Sequence, residues 1–194
     1  MRSGNTIAVF GSSRCQAASR CFAEALELGR LLATAGHTVL SGGYAGSMAA
    51  VSRGAAEAGG HVVGVTCAVF DPAPCNPWVA EEVKAATIIE RMAVMVARAD
   101  GFVALRGGIG TLSEVTLVWS LLQVRSLQAK PLILLGEQWR PVVAAFLAHT
   151  DLGPSIAALA QIVETPAEAA ALLSQPRPLA PSPDVATSGE GAGG

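Results

Sequence analysis

Charge is scarce in this 194-residue sequence: Asp, Glu, Lys and Arg make up 14% of it, and the formal net charge is −2. A chain with so little net charge has no bulk attraction for DNA, RNA or an anionic membrane. We therefore predict neither a nucleic-acid partner nor a membrane partner. A local phosphate site stays open, because such a site depends on a few oriented donors and not on the charge of the whole chain.

Clusters of metal ligands are missing as well. The four cysteines, Cys15, Cys21, Cys67 and Cys75, form no CxxC pair, and the three histidines, His37, His61 and His149, are isolated in the sequence. A zinc site takes closely spaced Cys and His ligands. We predict no metal, no cofactor and thiols that are reduced.

The sequence also lacks a long hydrophobic run. Residues 1–5 lead directly into a predicted strand and contain no apolar region of the signal-peptide type. No apolar stretch approaches the roughly 20 residues that are needed to span a bilayer. These absences predict a cytoplasmic protein.

Hydrophobic residues, by contrast, make up 51% of the chain, which is enough for a core and excludes intrinsic disorder over most of its length. Apolar runs such as Thr6–Phe10 and Leu132–Leu135 alternate with segments of helical spacing. This alternation indicates an α/β fold, a Rossmann-like doubly wound parallel sheet with helices on both faces. We assign residues 1–174 to one nucleotide-binding domain and residues 175–194, rich in Pro, Ser, Gly and Ala, to a disordered tail.

Glycine-bearing turns follow three of the predicted strands. They are Gly11-Ser12-Ser13, Ser41-Gly42-Gly43 with Gly46, and Gly107-Gly108-Ile109-Gly110-Thr111. In open α/β sheets the carboxyl ends of the strands line the ligand crevice. Glycines bring backbone amides close to an anion, and the helix that follows adds its own unpaired N–H groups. The third turn therefore predicts a phosphate site, with Thr111 as a hydroxyl donor.

Other interpretations compete with a phosphate site at the third turn. Thr111-Leu112-Ser113-Glu114 also fits a capping box, in which Glu114 bonds the amide of the N-cap residue. Glycine-rich turns can also serve only to pack a helix against its strand. Two cofactor fingerprints are absent: the first turn is not GxGxxG with a carboxylate closing the second strand, and no Walker lysine motif occurs. NAD binding and ATP hydrolysis are therefore disfavoured.

Residues 91–114 resemble the LOG family, whose signature is an arginine followed downstream by PGGxGTxxE. Here Arg91 precedes the run Arg106-Gly107-Gly108-Ile109-Gly110-Thr111-Leu112-Ser113-Glu114. The turns at residues 11–13 and 42–48 are similar as well, and the likeness covers roughly residues 6–165.

LOG proteins, long mislabelled as lysine decarboxylases, are Rossmann-like homodimers that cleave the N-glycosidic bond of a nucleoside 5′-monophosphate. The resemblance implies the same hydrolase activity here, which releases ribose 5-phosphate and a free base from AMP or from an N6-modified (cytokinin) adenylate. It assigns the catalytic positions to Arg91 and Glu114. It places the 5′-phosphate on Gly108, Gly110 and Thr111, with Ser12 or Ser13 nearby. The full set of implied phosphate- or nucleotide-binding residues is Ser12, Ser13, Gly43, Gly107, Gly108, Gly110 and Thr111.

These implied roles agree with elementary chemistry. Glycosidic cleavage passes through an oxocarbenium-like state, which a nearby carboxylate stabilises. Glu114 lies one helical turn beyond Thr111, so it would meet a ribose that is anchored by its phosphate. Arg91 can bind phosphate or hydroxyl groups through its planar fork. Without the resemblance, a solvated arginine on a helix face is the simpler interpretation.

The sequence departs from the LOG pattern in places that bear on the ligand. Arg106 replaces the proline of the signature, and Thr116, Leu117 and Val118 stand where family members often carry acidic residues. Arg106 is either an additional ligand contact or a salt-bridging loop residue. The segment Asn76-Pro77-Trp78 either belongs to a base pocket or lid, or packs Trp78 against apolar neighbours.

Two other functions fit the same residues. The chain also resembles molybdenum-cofactor carrier proteins, which hold a phosphorylated pterin on similar loops without catalysis. A sensor of ADP-ribose or of another nucleotide is a weaker alternative. The helix after Glu114 is apolar enough to contact a second subunit, so we predict a homodimer; its apolar residues are Leu117, Trp119, Leu121 and Leu122.

Overall fold

The structure of the protein is a computed structural model that describes residues 4–127 and 130–175. Within these residues seven parallel strands form one sheet. The strands are β1 Thr6–Phe10, β2 Thr38–Ser41, β3 Val62–Cys67, β4 Glu81–Ala85, β5 Gly101–Ala104, β6 Leu132–Leu135 and β7 Ala160–Val163. The central strands are buried on both faces, which explains why they are continuous apolar runs.

The strand order is β4-β3-β2-β1-β5-β6-β7. The chain therefore winds outward from β1 in one direction and then returns to place β5 on the other side of β1. In the register of this central pair, Ala8 of β1 faces Phe102 of β5. Such a reversal of strand order opens a crevice at the carboxyl ends of the two strands.

Helices cover both faces of the sheet. They are α1 Arg20–Thr34, α2 Ser47–Glu57, α3 Ile88–Arg98, α4 Ile109–Gln123, α5 Trp139–His149, α6 Pro154–Ala157 and α7 Pro166–Leu173. One core lies beneath α1, α2 and α7 and includes Leu28 and Val51. The other lies beneath α3, α4 and α5 and includes Met95, Val118 and Trp139. The predicted doubly wound, Rossmann-like fold is confirmed.

The polar strand β4 is not predicted by the apolar pattern. Glu81, Glu82 and Lys84 supply most of its residues, and its burial alternates along the strand. Because β4 pairs only with β3 and forms an edge of the sheet, its side chains need not enter a core. Hydrophobicity alone therefore cannot identify this strand.

Cys15 and Cys21 form a disulfide between the turn after β1 and the first turn of α1. Ser19 is the N-cap of α1, and its side chain accepts a hydrogen bond from the amide of Phe22. The chain therefore bends at Ser19, and the Cα atoms of the two cysteines lie 6.3 Å apart, within disulfide range. The prediction of reduced thiols is wrong for this pair, whereas Cys67 and Cys75 are free.

Three further predictions concern membrane-spanning helices, metal ligands and the boundary between the domain and the tail. In the described residues, no helix is long and apolar enough to cross a membrane. The same residues contain no group of three or more His, Cys, Asp and Glu side chains that is arranged to hold a metal ion. Apart from Gln175, the predicted tail 175–194 lies outside the described residues, so the single domain over 1–174 stays a prediction.

Close packing of α1 on α2 depends on a glycine in each helix. A Cβ atom added at Gly29 would collide with the carbonyl oxygen of Val51, and one added at Gly54 would collide with the carbonyl oxygen of Leu26. Both obstacles are backbone atoms, which cannot move aside as a flexible side chain would.

Gly29→Ala is expected to lower the free energy of unfolding by about 1–3 kcal/mol, although alanine is the better helix former, because the new methyl group forces the two helices apart. Urea unfolding measures this effect. Gly110→Ala in α4 is the matched control, since a Cβ there meets open space. Equal stability of the two variants would contradict this account of the α1–α2 contact.

Candidate functional site

Three turns at the carboxyl edge of the sheet surround a cleft of about 470 Å³. They follow β1, β2 and β5, so the cleft lies at the crevice that the strand order opens. Its lining comprises Gly11, Ser13, Tyr44, Ala45, Met48, Phe70, Ala73, Pro74, Arg91, Gly110, Thr111 and Glu114. The structure thus brings together both predicted catalytic residues and several of the predicted phosphate-binding residues.

The turns after β1 and β2 are tied to each other by one buried hydroxyl group. Ser47 Oγ accepts a hydrogen bond from the Ser12 amide at 2.8 Å and donates to the Ser12 carbonyl at 3.2 Å. The Ser47 amide also donates to the Ser12 carbonyl, at 2.9 Å. Gly46, with φ of +69°, approaches the Ser12 and Ser13 backbone so closely that a Cβ would collide with it. Ser12 is therefore held by α2, and Ser13 faces the cleft.

The third turn presents the start of α4 to the cleft. Gly108 is the N-cap residue, and no side chain caps this helix or places a carboxylate in its first turn. The amides of the first turn of a helix have no partner within the helix, and the helix dipole favours an anion beside them. Cβ atoms at Gly108 and Gly110 would meet open space. The start of α4 is thus accessible to a ligand.

The remaining glycines of the predicted site serve the backbone geometry. Gly107 lies against Thr111, where a Cβ would collide with the threonine side chain. Gly43 has φ of +76° and belongs to the turn that leads into α2. These two residues shape their turns, and the glycines that leave free space are Gly108 and Gly110.

A buried ion pair joins α3 to α4 at the cleft. Arg91 Nη1 lies 3.2 Å from Glu114 Oε1, and only 9% of the Arg91 side chain and 13% of the Glu114 side chain are exposed. Arg91 Nε donates a second hydrogen bond, of 2.7 Å, to the Val65 carbonyl within β3. The interpretation of Arg91 as a solvated surface residue is therefore wrong.

Gly42 provides the space that this arginine occupies. A Cβ atom at position 42 would collide with Arg91 Nη2 and with Met48 Sδ. The absence of a side chain at Gly42 thus leaves the space in which the Arg91 guanidinium lies.

The capping-box interpretation of Glu114 is also wrong. Gly108, and not Thr111, is the N-cap of α4, so Glu114 lies beyond the first turn of the helix. Its carboxylate accepts a hydrogen bond from Arg91 Nη1 instead of from its own backbone. Thr111 is buried one helical turn before Glu114 on the same side of α4.

Burial raises the pKa of Glu114 from its ordinary 4.5 to about 6, and the charge of Arg91 and its hydrogen bond oppose the rise. Removal from water disfavours the charged carboxylate, and the nearby guanidinium restores part of the loss. With a pKa of about 6, Glu114 is mostly ionised at neutral pH, and a small further rise of its pKa would protonate it. Such a carboxylate can stabilise a cation or exchange a proton.

An apolar wall faces the ion pair across the cleft. Its main members are Tyr44, Met48, Phe70 and Pro74. The Tyr44 hydroxyl accepts a hydrogen bond from the Cys67 amide at 2.7 Å, and the Phe70 ring meets the Tyr44 ring edge to face at 5.4 Å. Sequence reasoning missed Tyr44 and Phe70 as site residues, although both lie just beyond the carboxyl end of a strand.

The segment Asn76-Pro77-Trp78 does not line this cleft. Asn76 is buried; its amide donates to the Gly43 carbonyl at 2.7 Å and its side chain to the Tyr44 carbonyl at 3.2 Å. Trp78 is 36% exposed and stacks beneath the Arg53 guanidinium. Asn76 thus supports the turn after β2, and the base-pocket interpretation of Trp78 is wrong.

Comparison with known proteins agrees with this geometry. A family match covers residues 4–161. The chain belongs to the SLOG cluster4 family. The resemblance to LOG proteins is thereby confirmed, and curated relatives carry the LOG activity in their names.

One relative is a probable cytokinin riboside 5′-monophosphate phosphoribohydrolase of Oryza sativa, 39% identical over 114 residues, which are 58% of this chain and 50% of that protein. Another is the cytokinin riboside 5′-monophosphate phosphoribohydrolase of Mycobacterium marinum, 38% identical over 110 residues, 54% of this chain and 59% of that protein. This SLOG chain therefore matches about half the length of these curated relatives.

Solved structures similar to this SLOG chain include carriers of a cofactor. The molybdenum cofactor carrier protein of Chlamydomonas reinhardtii is 27% identical with a TM-score of 0.70, over 88% of this chain and 96% of that one. The molybdenum cofactor binding protein of Rippkaea orientalis has the same TM-score at 24% identity, over 89% of this chain and 97% of that one. The second likeness shows the fold alone.

The raised pKa of Glu114 predicts a pH dependence of stability. The folded state holds the proton of Glu114 up to about pH 6 and the unfolded chain only up to about 4.5, so this group favours folding at low pH. Its contribution of about 2 kcal/mol is complete below pH 4.5 and is lost as the pH rises through 6. Urea unfolding of the unaltered chain and of Glu114→Gln across this range measures the difference. Parallel pH profiles for the two proteins would contradict the prediction.

Proposed function

We propose that this protein is a nucleoside 5′-monophosphate phosphoribohydrolase of the LOG type, which hydrolyses the N-glycosidic bond to give a free base and ribose 5-phosphate. The observation that carries the proposal is the buried Arg91–Glu114 pair, placed in the same cleft as the uncapped start of α4. An anion site beside a carboxylate suits a substrate that has a phosphate at one end of its ribose and a scissile bond at the other.

The phosphate would bind the free amides at the start of α4, with the Thr111 hydroxyl and Ser13 beside it. The glycines at 108 and 110 leave room for its oxygens. Ser12 would act by shaping its turn, since α2 already occupies its backbone groups. A phosphate fixed in this way directs the ribose toward Glu114, one helical turn further along α4.

The reaction then needs charge stabilisation at C1′ of the ribose. As the bond from C1′ to the base nitrogen breaks, positive charge develops on the sugar, and the ionised Glu114 stabilises it. A water oxygen forms the new bond to C1′, and its proton leaves to the departing base, with Glu114 as the group that can relay it. Arg91 keeps Glu114 oriented and has guanidinium hydrogens left for the sugar hydroxyls or the phosphate.

The apolar wall suits the base. Phe70 is 45% exposed at the cleft and lies against Tyr44, so an aromatic base has a ring to stack on. We further propose that the base is adenine or an N6-modified adenine, as the resemblance to LOG proteins implies; the names of the relatives specify a cytokinin riboside 5′-monophosphate.

Glu114→Gln is expected to slow base release by about 100-fold or more while nucleotide binding changes little, because the amide keeps the shape of the side chain but not its charge. A panel of nucleoside monophosphates, including N6-modified adenylates, is assayed for free base, and binding is measured by calorimetry. Glu137→Gln, an exposed ion-pair partner of Arg140, is the control and is expected to be fully active. Base release that persists in Glu114→Gln would remove the proposed mechanism.

Phe70→Ala is expected to raise KM for the nucleotide by about tenfold with kcat nearly unchanged, since the ring binds the base equally before and during the reaction. Steady-state kinetics separates the two constants. Val69→Ala serves as the control, because Val69 is the neighbouring exposed residue and is not part of the cleft lining. A fall in kcat alone would argue against a base-stacking role.

A second candidate function is favoured by the likeness to the Chlamydomonas molybdenum cofactor carrier protein over nearly its whole length. Here the same cleft would hold a phosphorylated pterin, with the phosphate at α4 and the ring system on the apolar wall, and no bond would be cleaved. A fluorescent pterin that copurifies with the chain, together with no release of base from any nucleotide, would favour this carrier function over the hydrolase.

We also propose a homodimer, although two of the residues predicted to form its interface are buried within their own subunit. Trp119 and Leu122 are buried within their own subunit, and the Trp119 indole donates a hydrogen bond to the Ile156 carbonyl. They cannot supply a dimer surface. Of the other predicted residues, Leu117 is 40% exposed and Leu121 is half-buried. A cytoplasmic location likewise stays a prediction.

A further inference from the structure

Strand β3 extends further toward the cleft than its neighbour β2. The two strands pair as far as Gly64, and β3 continues to Cys67. In the part of the sheet that the structure describes, no strand therefore lies beside the end of β3 on this side. Val65 and Cys67 are fully buried there, and buried backbone groups need hydrogen-bond partners. Side chains of the cleft supply them: Arg91 bonds to the Val65 carbonyl, and Tyr44 bonds to Cys67.

The Tyr44 hydroxyl satisfies both backbone groups of Cys67. It accepts a hydrogen bond from the Cys67 amide at 2.7 Å and donates one to the Cys67 carbonyl at 3.0 Å. A phenol has a single hydrogen to donate, so this hydroxyl has none left for a ligand. The Tyr44 backbone is held as well, because the Asn76 side-chain amide donates to its carbonyl at 3.2 Å. Tyr44 thus joins the turn after β2 to the end of β3.

The end of β3 leads directly into the segment that carries Phe70. A short 3₁₀ helix at Ala68–Phe70 follows Cys67 without a gap, so a fixed Cys67 also fixes the start of this helix. The half-exposed Phe70 ring then meets the Tyr44 ring edge to face, and both rings line the cleft. A second link between this loop and the sheet is the exposed ion pair of Asp71 with Lys84 of β4, and exposed pairs contribute little. Tyr44 therefore holds Phe70 through its hydroxyl and through its ring.

We propose that Tyr44 is a positioning residue for base recognition: its hydroxyl fixes the end of β3, and with it the Phe70 ring, where the base of the nucleotide stacks. This inference rests on the proposed function, because it assumes that the base lies on the apolar wall. Contacts between aromatic rings depend on their relative orientation. A Phe70 ring that is already held in place loses less conformational freedom when the base binds, so the nucleotide binds more tightly.

The test uses Tyr44→Phe, which keeps the ring in the apolar wall and removes only the hydroxyl. Calorimetry on the full chain measures the binding of adenosine 5′-monophosphate and of ribose 5-phosphate, which has no base. The variant is expected to bind the nucleotide about five- to tenfold more weakly and ribose 5-phosphate nearly as well as before. Lys84→Gln is the matched control, since it breaks the other link of the same loop, and it is expected to change neither affinity.

A double-mutant cycle with Phe70→Ala separates this role from a general structural one. If Tyr44 acts through Phe70, Tyr44→Phe weakens nucleotide binding little further once the Phe70 ring is gone. An undiminished effect in the Phe70→Ala chain, an equal loss for both ligands, or no loss at all would overturn the positioning role while the proposed hydrolase stands. An unaltered chain that binds neither ligand would instead overturn the proposed function, and this inference with it.

Discussion

The contact between the Arg91 guanidinium and the Glu114 carboxylate is the interaction on which the site depends. Two charges removed from water are costly, and their mutual attraction offsets that cost only when the geometry is good and the remaining donors are satisfied. Here the Val65 carbonyl takes one donor of Arg91, and Gly42 leaves the space that the guanidinium fills. Elements from β2, β3, α3 and α4 thus converge on a single ion pair.

The sheet topology explains why residues so far apart in sequence share one cleft. Because the strands are parallel, the turns after β1, β2 and β5 all open at the same edge, and the reversal of strand order places β1 between β2 and β5. The turns after β1 and β2 hold each other in place through hydrogen bonds. The turn after β5 presents the free amides at the start of α4. The loop after β3 adds the aromatic Phe70. The parallel strands bring these groups to one edge of the sheet, and the reversal of strand order opens the crevice between them.

Much of this arrangement could be predicted from the sequence, and the failures have physical causes. Apolar runs identify β1, β5 and β6 because both of their faces are buried, whereas β4 is an edge strand and reads as polar. The glycine turns and Glu114 can be recognised from the sequence because the residues that form each motif are close together along the chain. The buried state of Arg91, the disulfide of Cys15 with Cys21 and the place of Phe70 arise from tertiary contacts. Spacing along the chain does not encode them.

The hydroxyl of Ser47 has a consequence for how the cleft receives a ligand. It joins the turn after β1 to the start of α2, while Asn76 joins the turn after β2 to the loop on the far side. The two walls are therefore preorganised as one rigid cradle, and little conformational entropy is lost when a ligand enters. Affinity in such a cleft depends more on how well the ligand fits the existing walls than on any closing motion.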